Sequence, residues 1–205
     1  MLRYVTLWLK GEPSIKDYKF WKKEAKYNMK RGDLTLAEEN IRLAKTILEE
    51  AGLEPTAKLR RTEGKLYKMR IKRAKEDFFT SGCDETYLQE LAKTVEEAWE
   101  VGVRGREIRR VVGRAVKKKL IEFYLGLMDR ELKEEVNSSP ESEESETRIV
   151  NYMKAIWRLG GDIPANILSK FSDKFYPEAG DYLVCSEYSL LPHKKEYEYN
   201  RERPG

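Results

Sequence analysis

A chain of 205 residues is long enough to bury one sizeable core or two small ones. Hydrophobic residues at 40% and aromatics at 11% exclude a wholly disordered chain, while 37% charged residues exceed the roughly 25% of an ordinary soluble protein. The net charge of +4 averages two opposed blocks: nine bases against one acid from Lys58 to Lys75, and seven acids against one lysine from Glu131 to Glu146.

In chain order, Tyr4 to Leu9 alternates as a short strand, closed by Gly11-Glu12-Pro13. This run is too short for a signal sequence, and nothing else approaches ~20 apolar residues. A soluble, cytoplasmic protein with no membrane partner is therefore expected. Ser14 and Asp17 predict a helix start, and that helix runs to about Arg31, where Gly32-Asp33 turns the chain. Thr35 and Glu38 form a capping box for a second helix. Ala37, Ile41, Ala44, Leu48 and Ala51 repeat along it at helical spacing until Gly52.

Trp21, Ala25, Leu34, Ala37, Ile41 and Ala44 occupy the spacings of a tetratricopeptide helix pair, which this hairpin resembles. Asn28 stands where that family has Tyr, and no second copy follows at the ~34-residue period of an array. A lone hairpin with small residues at its crossing is the simpler reading. The resemblance implies, as an alternative function, a helical adaptor that binds another protein.

A long basic helix is predicted from about Thr56 to Phe79, with a narrow apolar stripe of Leu59, Leu66, Tyr67, Ala74 and Phe78. Its cations (Lys58, Arg60, Arg61, Lys65, Lys68, Arg70, Lys72 and Arg73) are spread around the helix rather than gathered on one face. Asp84 caps the next helix, which carries Leu88, Leu91, Val95, Ala98 and Trp99 and ends at Gly102. From there VGVRGREIRRVVGRAVKKK, Val101 to Lys119, holds eight bases and one acid, and continues as helix through Leu120, Phe123, Tyr124 and Leu127 to about Glu135.

Residues 137–147 are acidic, Ser-rich and Pro-containing, which predicts a linker. Ile149, Met153, Ile156 and Leu159 mark an amphipathic helix stopped by Gly160-Gly161. Asp162 caps a shorter one with Ile167, Leu168 and Phe171, and residues 181–189 read as a strand. The expected fold is mainly α: a helical body over residues 1–136, the linker 137–147, a small α+β unit over 148–192, and a charged tail over 193–205. As an alternative, Glu141 to Glu146 offer an acidic cover for the basic helix of the same molecule.

Around residues 94–113 the chain resembles the helix-turn-helix motif of DNA-binding proteins. Ala98 is the small residue on the first helix, Gly102 the turn glycine, Val103 the aliphatic after it, and Ile108 and Val111 the aliphatics of the second helix. Val101 supplies the apolar residue before the turn, and Glu97 departs from the motif, where an aliphatic is usual. The resemblance implies double-stranded DNA as partner, with the second helix in the major groove.

Charge placement points the same way. On one continuous helix, Ile108, Val111, Val112 and Ala115 share a side, and Arg106, Arg109, Arg110, Arg114 and Lys117 the other, with Gly113 among them. Arg104, Lys118 and Lys119 complete the expected DNA-contacting set. Between the cations of the first helix stand Tyr18, Phe20, Trp21 and Tyr27, which could stack on bases but at helical spacing belong more naturally to a core.

Chemistry is thinly supplied. His193 is the one histidine, Cys83 and Cys185 form no CxxC pair, and neither GxxxxGK[ST] nor GxGxxG occurs. No catalytic residue, cofactor or metal is expected. The Lys/Glu surplus with one glutamine, Gln89, is a hyperthermophile composition. In size and composition the chain resembles small helical DNA-binding proteins of archaeal plasmids and viruses.

Overall fold

The computed structural model describes residues 15–133 and 139–175. The expected strands at Tyr4–Leu9 and 181–189, the Ser14 cap and the tail 193–205 lie outside the described residues. Eight helices occur among the described residues and no strand. They are α1 (Ile15–Arg31), α2 (Leu34–Glu50), α3 (Ala57–Thr80), α4 (Glu85–Glu100), α5 (Gly105–Val112), α6 (Arg114–Lys133), α7 (Ser139–Leu159) and α8 (Ala165–Phe175). The chain divides into two compact units, residues 1–104 and 105–205. That division falls within the span 1–136 read as one body.

The first unit is two successive helical hairpins, α1–α2 and α3–α4, with α3 also packed on α1 and α2. Ala25, Ala37 and Ala44 are fully buried, so the small side chains let α1 and α2 approach closely. Asp33, not Thr35, caps α2: its Oδ1 accepts from the Leu36 N–H at 3.0 Å. The carboxylate directly after the Gly32 turn reaches the orphan amide first, and Glu38 is drawn off to Arg70. Thr56 and Asp84 cap α3 and α4, accepting from Leu59 N–H and Thr86 N–H. Each full burial of a leucine or phenylalanine such as Leu59, Leu66, Leu91 or Phe78 contributes about 1.5–3 kcal/mol.

Polar groups on the inner side of α3 are paired. Lys45 of α2 bonds the buried carboxylate of Glu63. Arg70 Nη1 stands 3.0 Å from both Glu38 of α2 and Glu97 of α4, with its guanidinium over the Tyr67 ring at 5.1 Å. Burial, with Glu38 nearby, pushes the Tyr67 phenol up to about 12. The folded value lies above the unfolded one, so this contribution to stability is fully present below pH ~10. It is lost as pH rises from there through about 12. In a phenolate-absorbance titration Tyr67→Phe is expected to remove a step that ionises near pH 12.

In the second unit α6 and α7 pack together, with α5 and α8 against them. Val116, Leu120, Tyr124 and Met128 recur along α6 and are buried, as are Ile149, Met153 and Ile156 on α7. The acidic stretch is helical from Ser139 on, within α7. Its placement has a physical cause: Ser145 is buried and donates to Glu131 Oε2 at 3.1 Å, and Arg148 grips Glu131 bidentately at 2.8 and 3.0 Å. Those bonds hold the Glu131 carboxyl below its usual range, the Arg148 bond first. The pair runs antiparallel, so this end of α7 lies by Glu131, about 25 Å along α6 from Arg114. Glu144 and Ser145 therefore do not cover the basic start of α6. Pro164, rather than Asp162, opens α8, its carbonyl accepting from Ile167 and Leu168.

Candidate nucleic-acid interface

At the C-terminus of α4, Val103 N–H donates to the Ala98 carbonyl and Gly102 N–H to that of Trp99, both at 2.9 Å. Gly102 has φ +83°, completing a left-handed helix stop. Gly32, Gly52, Gly82 and Gly160 end α1, α2, α3 and α7 by the same bond pattern, so this turn is the chain's general way of stopping a helix. Val103 turns into the first unit, its Cγ2 3.4 Å from where a Cβ on Gly64 would stand. Glu97, where the motif has an aliphatic residue, faces Arg70 at 3.0 Å. The unit boundary falls inside the motif: Ala98, Gly102, Val103 and the exposed Arg104 belong to the first unit, and Ile108 and Val111 to the second.

The eight residues of α5 are sorted by their contacts with α7. Gly105 is there because a Cβ would stand 2.9 Å from the Arg158 carbonyl oxygen, so only glycine lets α5 come this close. Ile108 and Val112 are buried, and Val111 is half-buried. Arg109 is turned inward: its Nη1 donates to the Arg158 carbonyl at 2.7 Å, satisfying one of the last acceptors of α7. Arg106 and Arg110, one turn apart, are exposed.

Gly113 divides what the sequence presents as one helix. With φ +81° it donates to the Arg109 carbonyl at 3.0 Å, while its own carbonyl accepts the Lys117 N–H at 3.0 Å. It is thus the stop of α5 and the cap of α6 in one residue, and a Cβ there would meet nothing within 4 Å. Neither close approach nor helix crossing accounts for it; backbone conformation does. The corner resets the helical phase, so Val116 is buried and Ala115 is exposed, reversing the continuous-wheel expectation for Ala115.

Beyond the corner Arg114, Lys118 and Lys119 are exposed and Lys117 half-buried. Lys118 and Lys119 face Glu122 at 3.7 and 3.3 Å, exposed pairs of little strength. Arg106, Arg110 and Arg114 make no ion pair among the described residues. No acid stands in the first turn of α6, and Gly113 has no side chain to cap it. The positive end of the helix dipole therefore adds to the charge of the corner.

Three substitutions separate the roles of these glycines. Gly105→Ala is expected to cost about 1–3 kcal/mol, because the Arg158 backbone must shift. Gly113→Ala should cost about 1–2 kcal/mol from its left-handed φ alone, and Gly113→Asn less. Urea unfolding of the three variants measures both, and equal costs for Gly113→Ala and Gly113→Asn would contradict the backbone explanation.

The aromatics of α1 are divided. Tyr18 is buried and bonded by Lys22 at 3.2 Å, and Phe20 and Trp21 are half-buried, edge to face. Tyr27 is exposed beneath Arg31, whose guanidinium lies 5.6 Å from the ring centroid. Among the described residues no group of three His, Cys, Asp or Glu could hold a metal ion, and no helix is long and apolar enough to cross a membrane. No family model, curated protein or solved structure matches the chain.

Proposed function

We propose that the protein binds double-stranded DNA without catalysis, as a regulator or accessory protein, through the corner where α5 meets α6. The observation that supports this is the sorting of the basic run. Arg109 is withdrawn to cap α7, while Arg106, Arg110 and Arg114 stand exposed around Gly113 and without acidic partners among the described residues. Arg106 and Arg110 present planar forks suited to guanine edges or phosphates. Lys117, Lys118 and Lys119 act as point charges toward the backbone. The hyperthermophile-like composition extends the proposal to a mobile element of an archaeal host.

Titration of a ~20-bp duplex by fluorescence anisotropy between about 50 and 300 mM salt tests the reading. Log affinity is expected to fall linearly with log salt, and no binding at the lowest salt would overturn it. The adaptor reading draws on Tyr27, 53% exposed on the tetratricopeptide-like hairpin. A protein ligand held on that face, without duplex binding, would replace the DNA proposal.

A further inference from the structure

The structure divides the cations of α3 in a way the sequence does not show. Arg70 is drawn inward to Glu38 and Glu97, and Arg60 Nε donates to the Pro55 carbonyl at 2.9 Å. Of the seven that remain, six are ordered: Lys58, Arg61, Lys65, Lys68, Lys72 and Lys75 follow at intervals of three or four residues, which places them on one face of the helix, with Arg73 off that row. Lys58, Arg61, Lys65 and Lys72 are exposed and make no ion pair among the described residues; Lys68 and Lys75 are half-buried and engaged. The row is about 25 Å long, with one charge every ~5 Å. Glu76, one turn beyond Lys72, is the acid on α3 nearest to it.

We infer that this row is a second contact surface for duplex DNA, one that follows the phosphate backbone and reads no sequence. The inference rests on the DNA-binding reading but uses a different helix in a different unit. Three features select this partner. No large exposed hydrophobic lies between Lys58 and Lys75, so the row has nothing to insert into a bilayer. For the same reason it lacks the desolvated aromatic or aliphatic anchor that a protein interface needs. A duplex asks for neither, because its dense line of phosphates binds a row of cations by releasing counterions. Five of the six cations are lysines, which deliver charge without the bidentate geometry that reads a base.

The test compares four full-length proteins on one ~30-bp duplex across a salt series. They are the wild type; a row variant with Lys58, Arg61, Lys65 and Lys72 changed to Gln; a charge-keeping control with Lys58, Lys65 and Lys72 changed to Arg; and a corner variant with Arg106, Arg110 and Arg114 changed to Ala. The row variant is expected to lower the salt slope by about 3–4, alike on unrelated duplex sequences, while the control keeps the wild-type slope. An unchanged slope in the row variant overturns the inference, even where the corner variant loses binding. An unchanged slope in the corner variant beside a reduced one in the row variant overturns the corner and keeps the row. Wild-type binding to anionic phospholipid vesicles or polyglutamate as tight as to the duplex, and lost in the row variant, also overturns it, since the row would then serve another partner. Matching helical circular dichroism and melting for all four proteins excludes unfolding as the cause of a lost slope.

Discussion

Changing Arg106, Arg110 and Arg114 together to alanine is expected to weaken duplex binding about 100-fold near 150 mM salt and roughly 2,000-fold near 50 mM. Counterion release sets these magnitudes. Each phosphate contact contributes about 0.9 to the salt slope, so losing three lowers it by about 2.7 and makes the loss grow as salt falls. The three guanidiniums are exposed and hold no structural partner among the described residues, so melting should hardly change. Arg109→Ala supplies the contrast. Its guanidinium is bonded to the Arg158 carbonyl, so removal should lower stability by about 1–3 kcal/mol while leaving the salt slope intact. If Arg109→Ala reduced the slope as much per residue as the triple variant, the division of the arginines would be wrong.

Arg70→Ala is expected to destabilise the first unit by about 3 kcal/mol, the largest single-residue effect predicted for this chain. Glu97 Oε2 is buried and accepts no aligned hydrogen bond, so Arg70 at 3.0 Å balances its charge by Coulomb attraction. Without Arg70 a carboxylate oxygen is left out of water with no cation, and Glu38 and the Tyr67 ring lose a contact as well. The double variant Arg70→Ala, Glu97→Ala should recover part of the loss, since the stranded charge goes with it. Amide hydrogen exchange is the suitable readout, because a chain with two units need not unfold in one step. Protection should fall in α2, α3 and α4 and persist in α6 and α7. Equal protection across the first unit in Arg70→Ala and wild type would show the network to be dispensable.

The first four helices were legible because their signals are local. Thr56 and Asp84 cap their own helices, and Gly32, Gly52, Gly82 and Gly102 stop them within the same turn. Gly113 was not legible, since apolar and basic residues keep helical spacing on both sides and the wheel passes straight through the break. The roles of Arg109 and Arg70 were hidden for a different reason. Their partners, the Arg158 carbonyl and the Glu38 and Glu97 carboxylates, lie tens of residues away, and composition carries no trace of them. The acidic stretch misled by composition: Ser and Glu suggest a linker, but Ser145 and Arg148 are tied to Glu131.

The repeated glycine stop also bears on how the chain folds in time. In the first unit, α1 meets α2 across residues 32–33, and α3 meets α4 across residues 81–84. Closing so short a loop costs little entropy, and contacts between near neighbours form early in folding. In each hairpin the stop of one helix and the cap of the next stand beside the turn. The two hairpins of the first unit are therefore expected to be structured while the ribosome is still adding the second, before the basic corner exists to meet a polyanion.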